Sequence, residues 1–305
     1  MTATPSSAPP LAKYLASTDK KTRDKAIKNL SVFLSNSSDN GLPKSEMDKL
    51  WKGVFYCFWM SDKPLVQQAL ASELAELVLT IQTTSLSLAF LRGFWETTVR
   101  EWNGIDRLRI DKYYMLVRRF VNASFRLLAR AEWDESACNE YNEILTREGG
   151  PLCSTDIRVP TSLAYHLADI YLEEFDKALG TLSSSSLRPP APLATIMSPF
   201  YSLAAHTANT LTYNRIQSAV FEPLFAAFPT SSLGDREHSS KRARLDDQAF
   251  ANLLQASTSD QDLSGLKTAL LKKLFDVASD SETRDSSRKK MYALWKSQAE
   301  DEEDS

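Results

Sequence analysis

Residues 101–130 read EWNGIDRLRIDKYYMLVRRFVNASFRLLAR, and their periodicity decides the fold class. From about Asp106 onward the spacing predicts one long amphipathic helix. At roughly 100° per residue, Ile110, Tyr113, Tyr114, Val117, Phe120, Val121 and Leu128 share one broad apolar side. Lys112, Arg119, Arg126 and Arg130 cluster within roughly 40° of one another on the opposite side. No Asp or Glu of this helix shares that face, whose neighbours are Met115, Asn122 and Ala123. At ~1.5 Å rise per residue the four cations form a row on the order of 27 Å long. The row reads in two ways. It is a solvated helix face, since exposing a cation costs least, or it is a contact for an external polyanion, since no local carboxylate neutralises it.

Toward the N-terminus the same 3.6-residue period recurs. Residues 1–10 are rich in Pro, Ser and Thr and read as disordered. A short helix is predicted over Leu11–Ala16. A second runs from about Lys20 to Leu34, with Ala26, Ile27, Leu30, Phe33 and Leu34 inward and Thr18 or Asp19 as N-cap. After the loop SNSSDNGLP, Ser45 and Asp48 have the spacing of a capping box. The run LWKGVFYCFWM (50–60) is apolar on nearly every side, as a helix packed from several directions requires. Pro64 starts another helix in its first turn, and two more helical patterns cover 65–82 and 85–102. The aromatic group Trp51, Phe55, Phe58, Trp59, Phe94, Trp95 and Trp102 lies at helical spacing among Leu and Val and reads as core, with stacking on RNA bases as the other use of such rings.

Toward the C-terminus, Asp134 is a predicted cap for a helix containing Ala137, Cys138, Tyr141, Ile144 and Leu145. Gly149-Gly150-Pro151 breaks it. Pro160–Leu179 is helical, SSSSLRPPAP (183–192) is a linker, and helices follow at about 193–207 and 210–226. From Thr230 the composition turns polar, and Lys241-Arg242-Ala243-Arg244 forms a basic cluster of the nuclear-import type. Two helices near 263–278 and 286–299 precede an acidic tail. The expected fold is all-α: an irregular α-solenoid, a HEAT-like stack of helical hairpins, over 11–228. A polar linker (229–262), a helical extension (263–299) and the tail (300–305) complete it.

The composition excludes several classes. Only nine glycines occur in 305 residues, which argues against Gly-rich nucleotide loops and turn-dense β folds. Net charge is −3, yet residues 100–130 carry eight Lys/Arg against three acids, so the local excess says more about partners than the total. Cys57, Cys138 and Cys153 are few, odd in number and far apart, which fits a reducing compartment and offers neither a disulfide framework nor a zinc pattern. The N-terminus lacks a signal-peptide layout and no run of ~20 apolar residues occurs, so a soluble intracellular chain is expected. His166, His206 and His238 have no His or Cys at metal-ligand spacing. His166 with Asp169 one turn on reads as a structural pair on a helix. No cofactor, metal site, small-molecule substrate, membrane contact or catalytic residue is assigned.

Two runs, WKGVFYCFWMSDKPLVQQ (51–68) and FWETTVREWNGIDRLRIDKYYMLVRR (94–119), closely resemble the ribosomal RNA processing protein 1 family, also called the nucleolar fifty-two-kilodalton protein family. A weaker likeness extends from LAKYLASTDKKTRDKAIKNLSVFL at Leu11 to about Phe228. The resemblance implies a nucleolar, non-catalytic factor of large-subunit (60S) ribosome assembly that acts in pre-rRNA processing as a scaffold within preribosomes. Its implied partners are pre-rRNA of the pre-60S particle, other assembly factors and ribosomal proteins. On that expectation Lys112, Arg119, Arg126 and Arg130 are candidate contacts for RNA or an acidic partner, and Lys241, Arg242 and Arg244 a candidate import signal. A protein-only adaptor and an RNA-processing enzyme are the rival readings.

Overall fold

The computed structural model describes residues 11–36, 42–181, 189–229, 249–258 and 262–303, and among them there is helix and no strand. The all-α expectation holds. The chain forms two compact units, Met1–Leu127 and Leu128–Ser305, whose boundary falls within one helix.

In the first unit the helices are α1 (Leu11–Leu15), α2 (Lys20–Ser35), α3 (Lys44–Trp59), α4 (Pro64–Thr80) and α5 (Thr84–Glu101), then a 3-10 turn (Trp102–Gly104) and α6 (Ile110–Arg130). α2 starts where its cap allows. Asp19 is extended, and its carboxylate accepts from the Thr22 amide at 2.9 Å, one of the four N–H groups that a helix start leaves without partners. The capping box expected from Ser45 and Asp48 does not form. α3 begins just after Pro43 with no side-chain cap, and Asp48 instead lies 3.4 Å from the Lys44 ammonium. Pro64 sits in the first turn of α4, where its missing N–H costs nothing.

α1 packs on α2 and α3, α2 on α4, α3 on α5, and α4 on α5, the neighbour and next-neighbour pattern of stacked helix pairs. The centre of this unit is aromatic. Trp51 is buried, donates from Nε1 to the Phe90 carbonyl at 3.0 Å, and lies 4.5 Å from the Phe90 ring and 5.8 Å from Phe120. Phe94 stacks on Phe120 at 3.7 Å and 8°. Tyr113 donates to the Phe55 carbonyl at 3.1 Å with its ring between Phe55 and Phe58. Fully burying each such ring contributes about 1.5–3 kcal/mol. Gly93 makes room for Trp51, because a Cβ there would lie 2.3 Å from its Cδ1. The runs 51–68 and 94–119 are therefore the two sides of one core. Of the seven aromatics read as core, six are buried, and Trp59 is partly exposed beneath Arg109, whose guanidinium carbon stands 4.8 Å from the ring centroid.

The second unit contains α7 (Glu135–Thr146), α8 (Thr161–Gly180), α9 (Leu193–Ile196), α10 (Ser198–His206), α11 (Thr210–Ile216), a π turn (Gln217–Phe221), α12 (Glu222–Ala226), α13 (Ala251–Ser257), α14 (Leu263–Ser279) and α15 (Asp285–Glu303). Asp134 caps α7 as expected, accepting from the Ala137 amide at 2.9 Å. Before it, Glu132 and Trp133 adopt left-handed φ values of 53° and 59° with no glycine, and the Trp133 ring packs 5.8 Å from Phe175. α8 contacts α11, the π turn and α13, while Asp176 receives the Leu253 amide at 2.8 Å. The C-terminal pair α14–α15 packs on α10, and α14 also on α9. Leu270, Leu274 and Met291 are buried in that seam, and the Arg284 amide donates to the Ala205 carbonyl at 3.1 Å. No helix among the described residues is long and apolar enough to cross a membrane.

Candidate nucleic-acid interface

The four candidate cations of α6 stand in different settings. Lys112 is only 6% exposed, and its ammonium donates to the carbonyls of Trp59 at 2.7 Å and Ser61 at 2.8 Å. Those carbonyls end α3, where the last turn has no intrahelical donors and the helix dipole presents negative charge. Lys112 is thus a cap for α3, not a surface cation, and its place in an exposed row is corrected. Burial pushes its pKa down to about 8, with Asp62 pulling the other way. Next along the helix, Arg119 is exposed and has no hydrogen-bond or ion-pair partner among the described residues. Arg126 is half-exposed and pairs through both nitrogens with Glu76 of α4, one contact measuring 3.2 Å. No carboxylate of α6 opposes the row, but α4 supplies one in Glu76. Arg130 is exposed overall, and partial desolvation of its guanidinium lowers its pKa.

The side of α6 that carries Lys112 is not a free surface. Leu116, Ala123 and Leu127 lie on the same angular side and are also buried, so α6 is covered by neighbours over most of its circumference. Two other cations serve as Lys112 does. Arg23 donates to the Ser17 and Thr18 carbonyls just beyond α1, each at 2.9 Å. Arg288 donates to Ala278, Asp280 and Thr283 at the end of α14.

Sequence reading missed a further cationic stripe. Lys21, Lys25 and Lys28 on α2 are exposed and lie within about 60° of one another at i, i+4, i+7 spacing. None is within ion-pair distance of a carboxylate among the described residues. Their i, i+4, i+7 spacing is the signal that marks them in the sequence. The import candidates Lys241, Arg242 and Arg244 lie outside the described residues. Asp169 pairs with Arg215, and the His206 Nδ1 lies 2.8 Å from the Ser202 carbonyl. Among the described residues no group of three or more His, Cys, Asp or Glu is placed to hold a metal ion. Burial raises the Cys57 and Cys138 thiols to about 11, far from nucleophilic range.

The sequence profile of the family described as "Nucleolar protein, Nop52" matches residues 6–303. The chain belongs to this Nop52 family. The match continues past Phe228, where the resemblance read from the sequence ends, and takes in α13, α14 and α15. The human Ribosomal RNA processing protein 1 homolog B is 37% identical over 223 residues, covering 72% of this chain and 28% of that protein. The human homolog A is 36% identical over 222 residues, with 72% and 46% covered. A Dictyostelium discoideum protein named as a homologue of the same factor is 26% identical over 300 residues, with 93% and 57% covered. The matched part spans about a quarter to somewhat over half of the length of these relatives.

Proposed function

We propose that this chain is a non-catalytic ribosome-assembly factor that acts in ribosomal RNA processing and large-subunit (60S) maturation, as a scaffold within nucleolar preribosomes. The observation that carries the reading is the Nop52 family match over 6–303, together with relatives named for ribosomal RNA processing. The exposed residues Arg119 and Arg130 would meet pre-rRNA phosphates, and Arg126 would join them by exchanging Glu76 for phosphate, which it can grip through two parallel N–H bonds. Lys112 holds α3 in place and stands behind this surface. The polar linker expected over 229–262 is interrupted by α13, which packs on α8 with Leu253 and Leu254 buried, and the cluster Lys241, Arg242 and Arg244 would direct nuclear import.

In-cell protein–RNA crosslinking tests the reading, with Arg119, Arg126 and Arg130 changed to Glu and Lys112 kept so that α3 retains its cap. Crosslinks to large-subunit precursor RNA should drop sharply in the variant while circular dichroism stays unchanged. Crosslinks of equal strength would refute RNA contact at these residues. A protein-only adaptor is the second reading, favoured by two apolar side chains that local structure holds in water. Leu108 is 87% exposed in a turn fixed by Asp106, and Ile157 is wholly exposed on a loop where Asp156 accepts from the Gly149 and Arg158 amides. Covering these side chains with a partner removes apolar area from water. Partner binding that is insensitive to salt, without RNA crosslinks, would establish that reading instead.

A further inference from the structure

The outer side of the C-terminal pair α14–α15 combines rings and cations in a way the pair's own packing does not require. Leu270, Leu271, Leu274, Met291 and Leu294 seal the seam and are buried. Outside that seam Phe275 is 39% exposed, its ring 5.4 Å from Tyr292 and 5.2 Å from Trp295, both half-buried. The helices are antiparallel, since Lys267 reaches the Gln298 carbonyl at 3.3 Å and Arg288 the Ala278 carbonyl at 3.2 Å. Helical geometry then sets Lys272 about 60° from Phe275, on the side away from Leu271 and Leu274. Likewise Lys289 and Lys296 stand about 60° and 40° from Tyr292, away from Met291 and Leu294. All three lysines are exposed, and neither Lys272 nor Lys289 has an ion-pair partner among the described residues. Two other bases of the pair are used differently. Lys290 lies 4.7 Å over the Tyr213 ring and bonds Asn214, and Arg288 caps α14. Asp276 is an acid on the Lys272 side of α14.

We propose that this strip of Phe275, Tyr292 and Trp295, edged by Lys272 on one helix and Lys289 and Lys296 on the other, is a stacking platform for single-stranded RNA. Bases lie on the ring faces, and the phosphates on either side meet the lysines, the arrangement that sequence-tolerant single-strand binding requires. Lysine edges favour RNA over a protein partner, because protein interface cores gain aromatic residues and Arg but lose Lys. The proposal rests on the RNA reading above and adds a second contact, in the C-terminal unit, of a different chemical kind from guanidinium–phosphate pairing.

The test uses the purified full chain and a labelled uridine oligonucleotide, followed by fluorescence anisotropy across a salt series and by ultraviolet crosslinking with peptide mapping. Phe275→Leu and Trp295→Leu keep apolar volume but remove the ring face, and each should weaken binding about tenfold. Lys272→Glu with Lys289→Glu touches only exposed side chains and should lower the slope of log affinity against log salt by about 1.4. Crosslinked peptides should fall within residues 270–298. Should a ring variant unfold, the lysine pair decides. If wild type binds RNA, all variants bind within twofold of it, and crosslinks map elsewhere, the platform is refuted while the RNA reading stands. Failure of the wild-type chain to bind RNA here, with no crosslinks in cells, would sink both. A protein crosslinked at these rings in competition with RNA would overturn the proposal in favour of a protein-binding face.

Discussion

Changing Lys112 should damage the protein through stability, although its spacing on α6 matches that of surface cations. In Lys112→Met the stem remains and the ammonium is lost. Ser61 keeps a second donor, Gln67 Nε2 at 3.0 Å, so its carbonyl stays paired. The Trp59 carbonyl loses the short bond it receives from Lys112. A buried acceptor left unpaired costs about 1–3 kcal/mol, and relief of the buried charge offsets part of this, leaving a net loss of roughly 1–2 kcal/mol. Lys112→Glu is worse. It aims a carboxylate at two carbonyl oxygens at the negative end of α3, and an uncompensated buried charge costs about 3–5 kcal/mol, a large share of a typical folding stability of about 5–15 kcal/mol. Arg119→Glu, on the exposed side of the same helix, should stay within about 0.5 kcal/mol. Urea unfolding followed by tryptophan fluorescence separates these cases, since Trp51, Trp59, Trp95 and Trp102 all report on the N-terminal unit. Equal unfolding midpoints for Lys112→Glu and Arg119→Glu would refute the capping role and restore Lys112 to the surface row.

Three further predictions concern stability. Burial lowers the Lys112 pKa from 10.5 to about 8, so between these values the unfolded chain binds more protons and the lysine's contribution to stability rises with pH; the neutral amine still has two N–H groups for its two carbonyls. The stability gap between wild type and Lys112→Met should therefore widen from pH 8 toward pH 10, and a constant gap in urea titrations would contradict this. Bonds from Arg158, whose side chain is largely exposed, and from the Gly149 amide hold the Asp156 carboxyl down at about 2. Its contribution is complete above the unfolded value of about 3.9 and lost as pH falls through 2; Asp156→Asn should cost about 1 kcal/mol at neutral pH, with thermal midpoints converging on wild type in acid. Gly93→Ala should destabilise by about 1–3 kcal/mol, because its Cβ must displace Trp51 and with it the bond to the Phe90 carbonyl, and near-ultraviolet circular dichroism should register the shift.

The helices were legible in the sequence because their signals are local. Apolar residues at 3.6-residue spacing, a carboxylate at Asp19 or Asp134, and Pro64 in a first turn act within one or two turns of chain, so Lys20–Ser35, Pro64–Thr80 and Glu135–Thr146 could be drawn within a few residues. Ser45 and Asp48 mark the limit of that logic: Pro43 started α3 earlier, and the box lost its register. The candidate site was legible only in part. Helical spacing records the angular order of one helix and holds nothing about what lies against it. It could group Lys112 with Arg119, but tertiary packing laid the end of α3 against Lys112, brought Glu76 of α4 to Arg126 and left Arg119 in water. Local periodicity determined that this protein is helical and where its apolar sides lie. The helices packed against them decided which of its cations remain open to a phosphate, because a cation laid against a foreign helix end has its N–H groups taken up by that helix's unpaired carbonyls.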